Sequence, residues 1–377
     1  MRVFFCAEAL PGMSPGAVAD LAQDSWWQIR PADAVETFPV SPGWPRDLIG
    51  TGLAEIAQRT YPDLRALERG DSLADPWHVI WISDEQHYAL IDLADAMSWE
   101  GHGSPLGSSA FLGRDLHTLI TSGVRRLQIN LPQFMRYSDA GQGLLAALTG
   151  QDTTGADTRT VAQIIGAARQ AISQLTVYVT YSAPMELAGF SGMAHSWAEQ
   201  GLDPQLAQRA QQELGQWGNT VAQALDTMAD RLLPGTPLAT QSAYAGAGGG
   251  LAMMLEVLRA RVLPIGAYLF GMYPETDTAI SQSDLCCYIG GRIGVNIPSP
   301  LTELSDRAGK YGVPVVLVAD AAGMRKGELQ NLGVHGSYEL RPELAFLEPQ
   351  PDDPQSSAAI TEKLAEQLQR VAVTWGY

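Results

Sequence analysis

The sequence predicts an α/β protein with a doubly wound, mainly parallel (Rossmann-like) sheet and a second, inserted α+β domain. Two observations predict this class. Several short runs rich in valine, isoleucine, leucine and aromatic residues lack the polar alternation of a half-exposed sheet, which is typical of parallel strands covered on both faces. Helical patterns lie between these runs, and the resulting β-α-β order places ligands at the carboxyl ends of the strands.

Five runs have the composition of buried parallel strands, and they lie at residues 3–6, 124–131, 176–180, 285–289 and 313–318. Helices are predicted at residues 160–174, 301–311 and 357–373. The first of these helices carries an apolar stripe at helical spacing that includes Val161, Ile164 and Ile165. The second ends before Gly312, since glycine often terminates a helix.

The remaining segments have a different pattern, which predicts a second domain. Residues 39–110 contain alternating patches, and residues 198–233 form a long polar helical stretch. We therefore assign residues 1–38, 111–182 and 281–377 to the Rossmann-like domain, and residues 39–110 and 183–280 to the inserted domain. A length of 377 residues is ample for two cores.

Composition excludes several classes of function. A net charge of −17 disfavours nucleic acid and anionic membrane surfaces as partners. No apolar run approaches the roughly 20 residues that cross a bilayer. The apolar run at the start of the sequence is too short for the core of a signal peptide. The presence of only three cysteines fits a reducing compartment. We therefore expect a cytoplasmic protein. Lysine occurs only at Lys310, Lys326 and Lys363, which excludes an enzyme that handles phosphate with an earlier lysine.

The strongest local signal is a glycine-rich stretch at residues 243–251 that leads directly into an apolar helical pattern. A glycine-rich turn at a helix N-terminus exposes backbone N–H groups at the positive end of the helix dipole, which suits an anion or a nucleotide phosphate. Glycine also permits close packing or a tight turn, and the sequence leaves both interpretations open. The candidate cofactor-binding residues are Gly246, Gly248, Gly249 and Gly250.

Six segments of the chain resemble motifs that occur together, in this order, in one family. Residues 1–12 resemble an opening strand with its P-D-S-F-K-G turn, and residues 104–109 resemble an N-P-L and T-S segment. Residues 123–150 resemble a strand, a G-G-S-A-T-N-D-G-G loop and a helix. The last three segments, at residues 244–251, 284–293 and 312–319, resemble G-A-G-A-A-G-G-L, D-L-V-I-T-G-E-G-R-I and G-V-P-V-I-A-L-A. Taken in order, these segments make the chain resemble the bacterial glycerate kinase family of the two-domain type.

The resemblance implies transfer of a phosphoryl group from ATP to a hydroxyl of glycerate, with Mg²⁺ as the metal. Under that interpretation Asp139 and Glu8 are catalytic, and Arg292, Ser108 and Ser109 bind the substrate, whereas the metal ligands stay unknown. Each assignment has a structural alternative. Asp139 is also a good N-cap for a helix over residues 141–148, and Arg292 also suits a surface salt bridge.

Several positions depart from the family pattern, and most departures remove a charge. Proline or glycine stands where the family has charged side chains, at Pro11, Pro42, Pro45, Gly290 and Gly294, and Ser299 stands near its phosphate-binding lysine. Thr180 stands near the position of a family aspartate. Phe134 and Met135 follow Pro132 in the strand-end loop, where we expect them to occupy space that the family gives to phosphate or substrate.

These losses predict a pseudoenzyme, meaning the family scaffold kept as a binding or regulatory module with lost or much reduced kinase activity. The alternative is an active ATP-dependent kinase that phosphorylates glycerate or a related small hydroxy acid. Such a kinase needs at least two carboxylates near the glycine-rich loop to hold the metal. The first interpretation allows a protein partner that the sequence does not identify. Trp26, Trp27 and Trp44 are candidate contacts if exposed, although core packing is the favoured role of Trp26 and Trp27.

Overall fold

The computed structural model describes residues 1–45, 50–70, 77–96, 108–132, 138–199, 201–228, 239–294, 296–345 and 354–376. The strands are β1 (Arg2–Ala7), β2 (Ala34–Pro39), β3 (Arg65–Arg69), β4 (His78–Ser83), β5 (Tyr88–Asp92), β6 (Arg126–Leu131), β7 (Thr176–Tyr181), β8 (Arg261–Pro264), β9 (Leu285–Ile293), β10 (Val315–Ala322) and β11 (Val334–Glu339). The helices are α1 (Pro15–Ile29), α2 (Leu53–Gln58), α3 (Leu93–Ala96), α4 (Ala110–Thr121), α5 (Gln142–Thr149), α6 (Thr158–Ala171), α7 (Met193–Glu199), α8 (Pro204–Thr227), α9 (Leu251–Val257), α10 (Ile265–Met272), α11 (Glu275–Ser281), α12 (Ser299–Tyr311), α13 (Lys326–Asn331) and α14 (Pro354–Trp375).

The first compact unit consists of Met1–Thr60 and Pro264–Tyr377. Its sheet has five parallel strands in the order β11-β10-β9-β1-β2. One face of β1 packs against α1 and α14, and Phe5 meets the fully buried Trp26 edge to face at 5.7 Å. Trp27, its neighbour, is 40% exposed. Of the tryptophan pair, Trp26 therefore serves the core, and Trp27 remains on the surface.

The other face of this sheet is rich in aromatic side chains. Phe38 in β2 lies 5.1 Å from Phe270 in α10 and 5.5 Å from Tyr273, both edge to face, and 6.2 Å from Phe4 in β1. Edge-to-face geometry is favourable because the positive ring edge meets the negative ring face. Since β2 is the last strand of the sheet, this aromatic cluster lies at the edge of the unit.

The second compact unit is the continuous stretch Tyr61–Leu263. Its sheet has the order β3-β4-β5-β6-β7-β8, in which β3, β4 and β5 pair antiparallel and β5, β6 and β7 pair parallel. A single hydrophobic cluster joins this sheet to α4, α5, α6 and α8. The parallel strands are buried along nearly all of their length, which explains the absence of polar alternation in their sequence.

The α/β class with mainly parallel pairing is confirmed, and all five predicted strands are present within a few residues of their predicted limits. One grouping is corrected. Strands β6 and β7 lie in the second sheet, so residues 111–182 do not share a sheet with the two chain ends, and the inserted unit is one stretch rather than two. The reason is physical: burial on both faces leaves the same local pattern in either sheet, and only long-range pairing distinguishes them.

Two smaller expectations concern the cysteines and membrane segments. Cys6, Cys286 and Cys287 are all buried as free thiols, as expected for small apolar residues of strands. In the part of the chain that the structure describes, no helix combines the length and the apolar character that a membrane crossing requires.

Candidate functional site

Asp139 lies just before α5, and its carboxylate holds two helix ends together. Oδ1 accepts hydrogen bonds from the Ser109 hydroxyl at 2.6 Å and from the Gly141 N–H at 3.0 Å. Oδ2 accepts from the N–H groups of Ser109 at 3.0 Å and Gly143 at 2.8 Å. The Ser109 oxygen in turn accepts from the Leu144 N–H at 2.9 Å. This network joins the N-terminus of α4 to the N-terminus of α5.

Gly141 is the N-cap residue of α5, and Asp139, two residues before it, binds N–H groups at the start of that helix. A carboxylate offers about four acceptor positions, and four donors already occupy those of Asp139. Ser109 is 1% exposed, with its hydroxyl engaged as donor and acceptor. Ser108 is exposed, and its oxygen accepts from the Ala110 N–H at 3.2 Å. Of the two candidate substrate-binding serines, only Ser108 therefore faces solvent.

The backbone N–H groups of three of the four candidate glycines bond to carbonyl oxygens of the protein itself. Gly246 donates to the Met185 carbonyl at 2.7 Å, and Gly248 donates to the Pro132 carbonyl at 3.0 Å. Gly250 donates to the Gly246 carbonyl at 3.0 Å. A phosphate cradle requires N–H groups that point toward the ligand without another acceptor. Three of the four candidate glycines are thus paired, and the segment is buried from residue 245 onward.

The same glycines lie where a side chain has no room. A Cβ on Gly246 would be 2.2 Å from the Glu186 carbonyl oxygen, and one on Gly250 would be 2.7 Å from the Ala140 Cβ. Gly248 and Gly250 also have φ of +60° and +84°, which favours glycine. The helix that follows, α9, has only seven residues. Close packing and tight turning therefore account for the glycines without a ligand.

Three buried polar side chains, Asp92, Asn130 and Thr180, form a row at the carboxyl ends of β5, β6 and β7. Only Thr180 was a candidate position in the sequence. The strand register pairs Asp92 with Asn130 and Asn130 with Thr180. Asn130 donates to Asp92 Oδ1 at 2.9 Å, and the Thr180 hydroxyl donates to Asn130 Oδ1 at 3.0 Å. A polar residue at or near the end of each of these three apolar strands can be detected in the sequence. Only the strand register shows that the three residues are neighbours.

Two tyrosines and a glutamate form a second cluster beside the glycine-rich segment. Tyr181, which ends β7, stacks on Tyr244 with ring centroids 5.2 Å apart. The Tyr244 hydroxyl donates to Glu256 Oε1 in α9 at 3.0 Å. Burial raises the pKa of Glu256 above its ordinary value, although hydrogen bonds from Tyr244 and Ser242 act in the opposite direction. Burial, together with the nearby Tyr244 and Glu256, raises the pKa of Tyr181 to about 12.

The raised pKa of Glu256 predicts a pH-dependent stability of the Tyr61–Leu263 unit. The neutral carboxyl is favoured in the folded state, so the stabilising contribution is complete below the ordinary pKa of 4.5 and is lost as the pH rises through the folded pKa. Glu256→Gln keeps an oxygen that accepts from Tyr244, and it should remove this part of the pH dependence. Urea unfolding at a series of pH values measures the effect, with Glu213→Gln on the exposed face of α8 as the control. The same pH slope in Glu256→Gln and in the unmodified protein would contradict the prediction.

In the first unit, Glu8 follows β1 and is fully buried. The Tyr288 hydroxyl in β9 donates to Glu8 Oε1, and the Gly291 N–H donates to Oε2 at 3.4 Å. A Cβ on Gly290 would be 2.9 Å from the Tyr288 ring and 3.2 Å from Glu8 Oε2. Glycine at position 290 therefore leaves room for the Glu8–Tyr288 pair. Arg292 continues the same strand and is half-buried.

Two positions at which the resemblance implies a cation have local structural roles. Pro11 is buried in a tight turn, across which Leu10 and Met13 exchange backbone hydrogen bonds of 3.0 and 2.8 Å. Proline suits the second position of such a turn because its φ is already set. Ser299 begins α12, and its hydroxyl oxygen accepts from the Gly266 N–H at 2.9 Å. Neither position supplies a positive charge.

Some predicted features lie outside the described residues. They include Phe134 and Met135 in the strand-end loop, and the residues Ser104, Pro105 and Leu106. Within the ranges that the structure describes, no group of three or more histidine, cysteine, aspartate or glutamate side chains is arranged to hold a metal ion.

One family model and one solved structure match nearly the whole length of the chain. A family model described as the glycerate kinase family matches residues 11–373. A solved structure titled "putative glycerate kinase 2" from Salmonella typhimurium LT2 superposes with a TM-score of 0.70 over 99% of this chain and 98% of that chain. The two sequences are 17% identical, so this likeness shows the fold alone. No curated protein matches the chain.

Proposed function

Because the chain belongs to the glycerate kinase family, we propose that it is a member with lost or much reduced kinase activity, kept as a binding or regulatory module. The observation that carries this proposal is the internal use of the glycine-rich segment. The N–H groups of Gly246, Gly248 and Gly250 all donate to carbonyl oxygens of the protein itself. A nucleotide phosphate at this segment would have to displace those bonds, and the buried carbonyls would lose their donors.

The carboxylates support the same proposal. The oxygens of Asp139 accept four hydrogen bonds from the fold, and Glu8 is buried against Tyr288. A general base needs an oxygen within reach of the substrate hydroxyl and free to take its proton. Removing one group that stabilises transition-state charge typically costs on the order of 100- to 1000-fold in rate, and several such groups are replaced here. These costs need not add, yet even partial addition leaves little turnover.

The family generally uses ATP and Mg²⁺, and we expect this chain to bind that pair weakly or not at all. Mg²⁺ is held by one or two carboxylates with waters and substrate phosphates. Within the described ranges no group of three or more histidine, cysteine, aspartate or glutamate side chains is arranged to hold a metal ion, and three of the four candidate glycines already donate their N–H groups to the protein. We therefore derive no reaction step through a bound nucleotide.

We expect little or no ATP-dependent phosphorylation of D-glycerate. A coupled assay that follows ADP release, with purified protein and Mg-ATP, measures this, and a panel of small hydroxy acids extends it to related substrates. The Asp139→Asn variant, purified in the same way, controls for contaminating kinases. Turnover in the ordinary range of about 1–1000 per second that needs both substrates and disappears in the folded Asp139→Asn protein would restore the active-kinase interpretation.

A further inference from the structure

The first unit contains a cavity that the proposed function does not use. It has a volume of about 590 Å³ and lies between the edge strand β2 and helix α11. Small-molecule sites are typically concave, of roughly 300–1000 Å³, and lined by aromatic and apolar side chains with a few polar groups. Both walls belong to elements of the same compact unit, so the cavity is a feature of that unit alone.

The inner wall of the cavity is aromatic. Phe4 and Phe38 line it and are only 2% and 7% exposed, and half-buried Tyr273 lines it from the start of the α11 region. The Tyr273 ring is held in place, because its hydroxyl lies 2.7 Å from the Thr60 hydroxyl and the ring meets Phe38 edge to face. These contacts position the Tyr273 ring, and the wall presents aromatic side chains to a flat or apolar ligand.

The mouth of the cavity carries charges of both signs. Glu36, Arg59 and Glu275 line it and are exposed. Among the described residues, none of these three side chains forms an ion pair or a hydrogen bond. A guanidinium binds a carboxylate by two parallel hydrogen bonds, and carboxylates bind an ammonium group. One cationic and two anionic side chains around an aromatic wall therefore match a ligand that carries both charges.

We propose that this cavity binds a free α-amino acid with an aromatic side chain. The ligand carboxylate pairs with Arg59, its ammonium group pairs with Glu36 and Glu275, and its ring packs on the Phe4, Phe38 and Tyr273 wall. Phosphorylated ligands are disfavoured, since the three charged groups sum to −1 in a chain of net charge −17. The proposal goes beyond the proposed function, because it involves neither nucleotide nor phosphoryl transfer.

Isothermal titration calorimetry with L-phenylalanine, L-tyrosine and L-tryptophan tests the proposal directly. Two related probes separate the charges: phenethylamine lacks the carboxylate, and 3-phenylpropionate lacks the ammonium group. We expect each to bind about 2- to 5-fold more weakly than phenylalanine, because solvent screens ion pairs with the exposed Arg59, Glu36 and Glu275. Equal binding of phenylalanine and 3-phenylpropionate would overturn the assignment of Glu36 and Glu275.

Variants locate the site. Thr278 lines the cavity from α11 and is exposed, so Thr278→Trp should fill the cavity and abolish binding without a loss of folding. Ser281 lies on the same helix, is exposed and does not line the cavity, so Ser281→Trp is the matched control and should bind as the unmodified protein does. Arg59→Gln should weaken binding of phenylalanine but not of phenethylamine. Absence of binding by all three amino acids, or binding that survives Thr278→Trp, would refute the proposal whatever the kinase assay shows.

Discussion

Gly246→Ala is expected to destabilise the Tyr61–Leu263 unit by roughly 3 kcal/mol or more. The added Cβ would lie 2.2 Å from the Glu186 carbonyl oxygen and 2.7 Å from its carbon, and both atoms belong to the backbone. Neither of these two backbone segments can move aside at a small cost in free energy. The Gly246 N–H is bonded to Met185, and the Glu186 carbonyl accepts from the Met193 N–H at 3.1 Å.

Gly215→Ala in the middle of α8 is the matched control for this substitution. A Cβ there meets nothing within 4 Å, so the same chemical change should stabilise by about 0.5–1 kcal/mol through helix propensity alone. Native-state hydrogen exchange resolves the Tyr61–Leu263 unit from the rest of the chain, and urea unfolding gives the overall effect. An unchanged stability for Gly246→Ala, with a loss of nucleotide binding, would show that the segment is a phosphate loop and not a packing element.

Asp139→Asn is expected to destabilise the same unit by about 2–4 kcal/mol, since hydrogen bonds to a charged group are worth about 1.5–3 kcal/mol each and losses within one network do not add fully. An amide has one oxygen and one NH₂ group, so the NH₂ group would face donors that now bond to the second carboxylate oxygen. The four donors come from the backbone of Ser109, Gly141 and Gly143 and from the Ser109 hydroxyl. The exchange rates of backbone amide hydrogens should increase most at the starts of α4 and α5.

The control for Asp139 is the same substitution at another helix cap. Asp157 is the N-cap residue of α6, and its carboxylate accepts a hydrogen bond from the Thr160 N–H at 2.8 Å. Asparagine is an equally good N-cap, so Asp157→Asn should change the unfolding free energy by only a few tenths of a kcal/mol. If Asp139→Asn proves as mild as Asp157→Asn, the carboxylate of Asp139 is not essential to the fold, and its catalytic role returns as the leading explanation.

Much of the candidate site could be located in the sequence, although its chemistry could not. The position of Asp139 before a helix is a local pattern, and the helix predicted over 141–148 is observed at Gln142–Thr149. Its hydrogen-bond partner Ser109 comes from another helix, and no periodicity reveals that contact. The row of Asp92 and Asn130 depends in the same way on strand register, which a sequence pattern specifies only weakly when both faces are buried.

The sequence by itself determined the α/β class, the approximate positions of five of the eleven described strands, and the family. These follow from local composition and from the order of segments, both of which are properties of neighbouring residues. The tertiary structure decided which sheet holds β6 and β7. It also showed that the glycines of residues 246–250 lie close to Glu186, Leu131 and Ala140, whereas the sequence left both close packing and a phosphate site open for this segment. The physical reason is common to both. A buried strand or a bare glycine has the same local signature in many settings, and only contacts between distant parts of the chain select one of them.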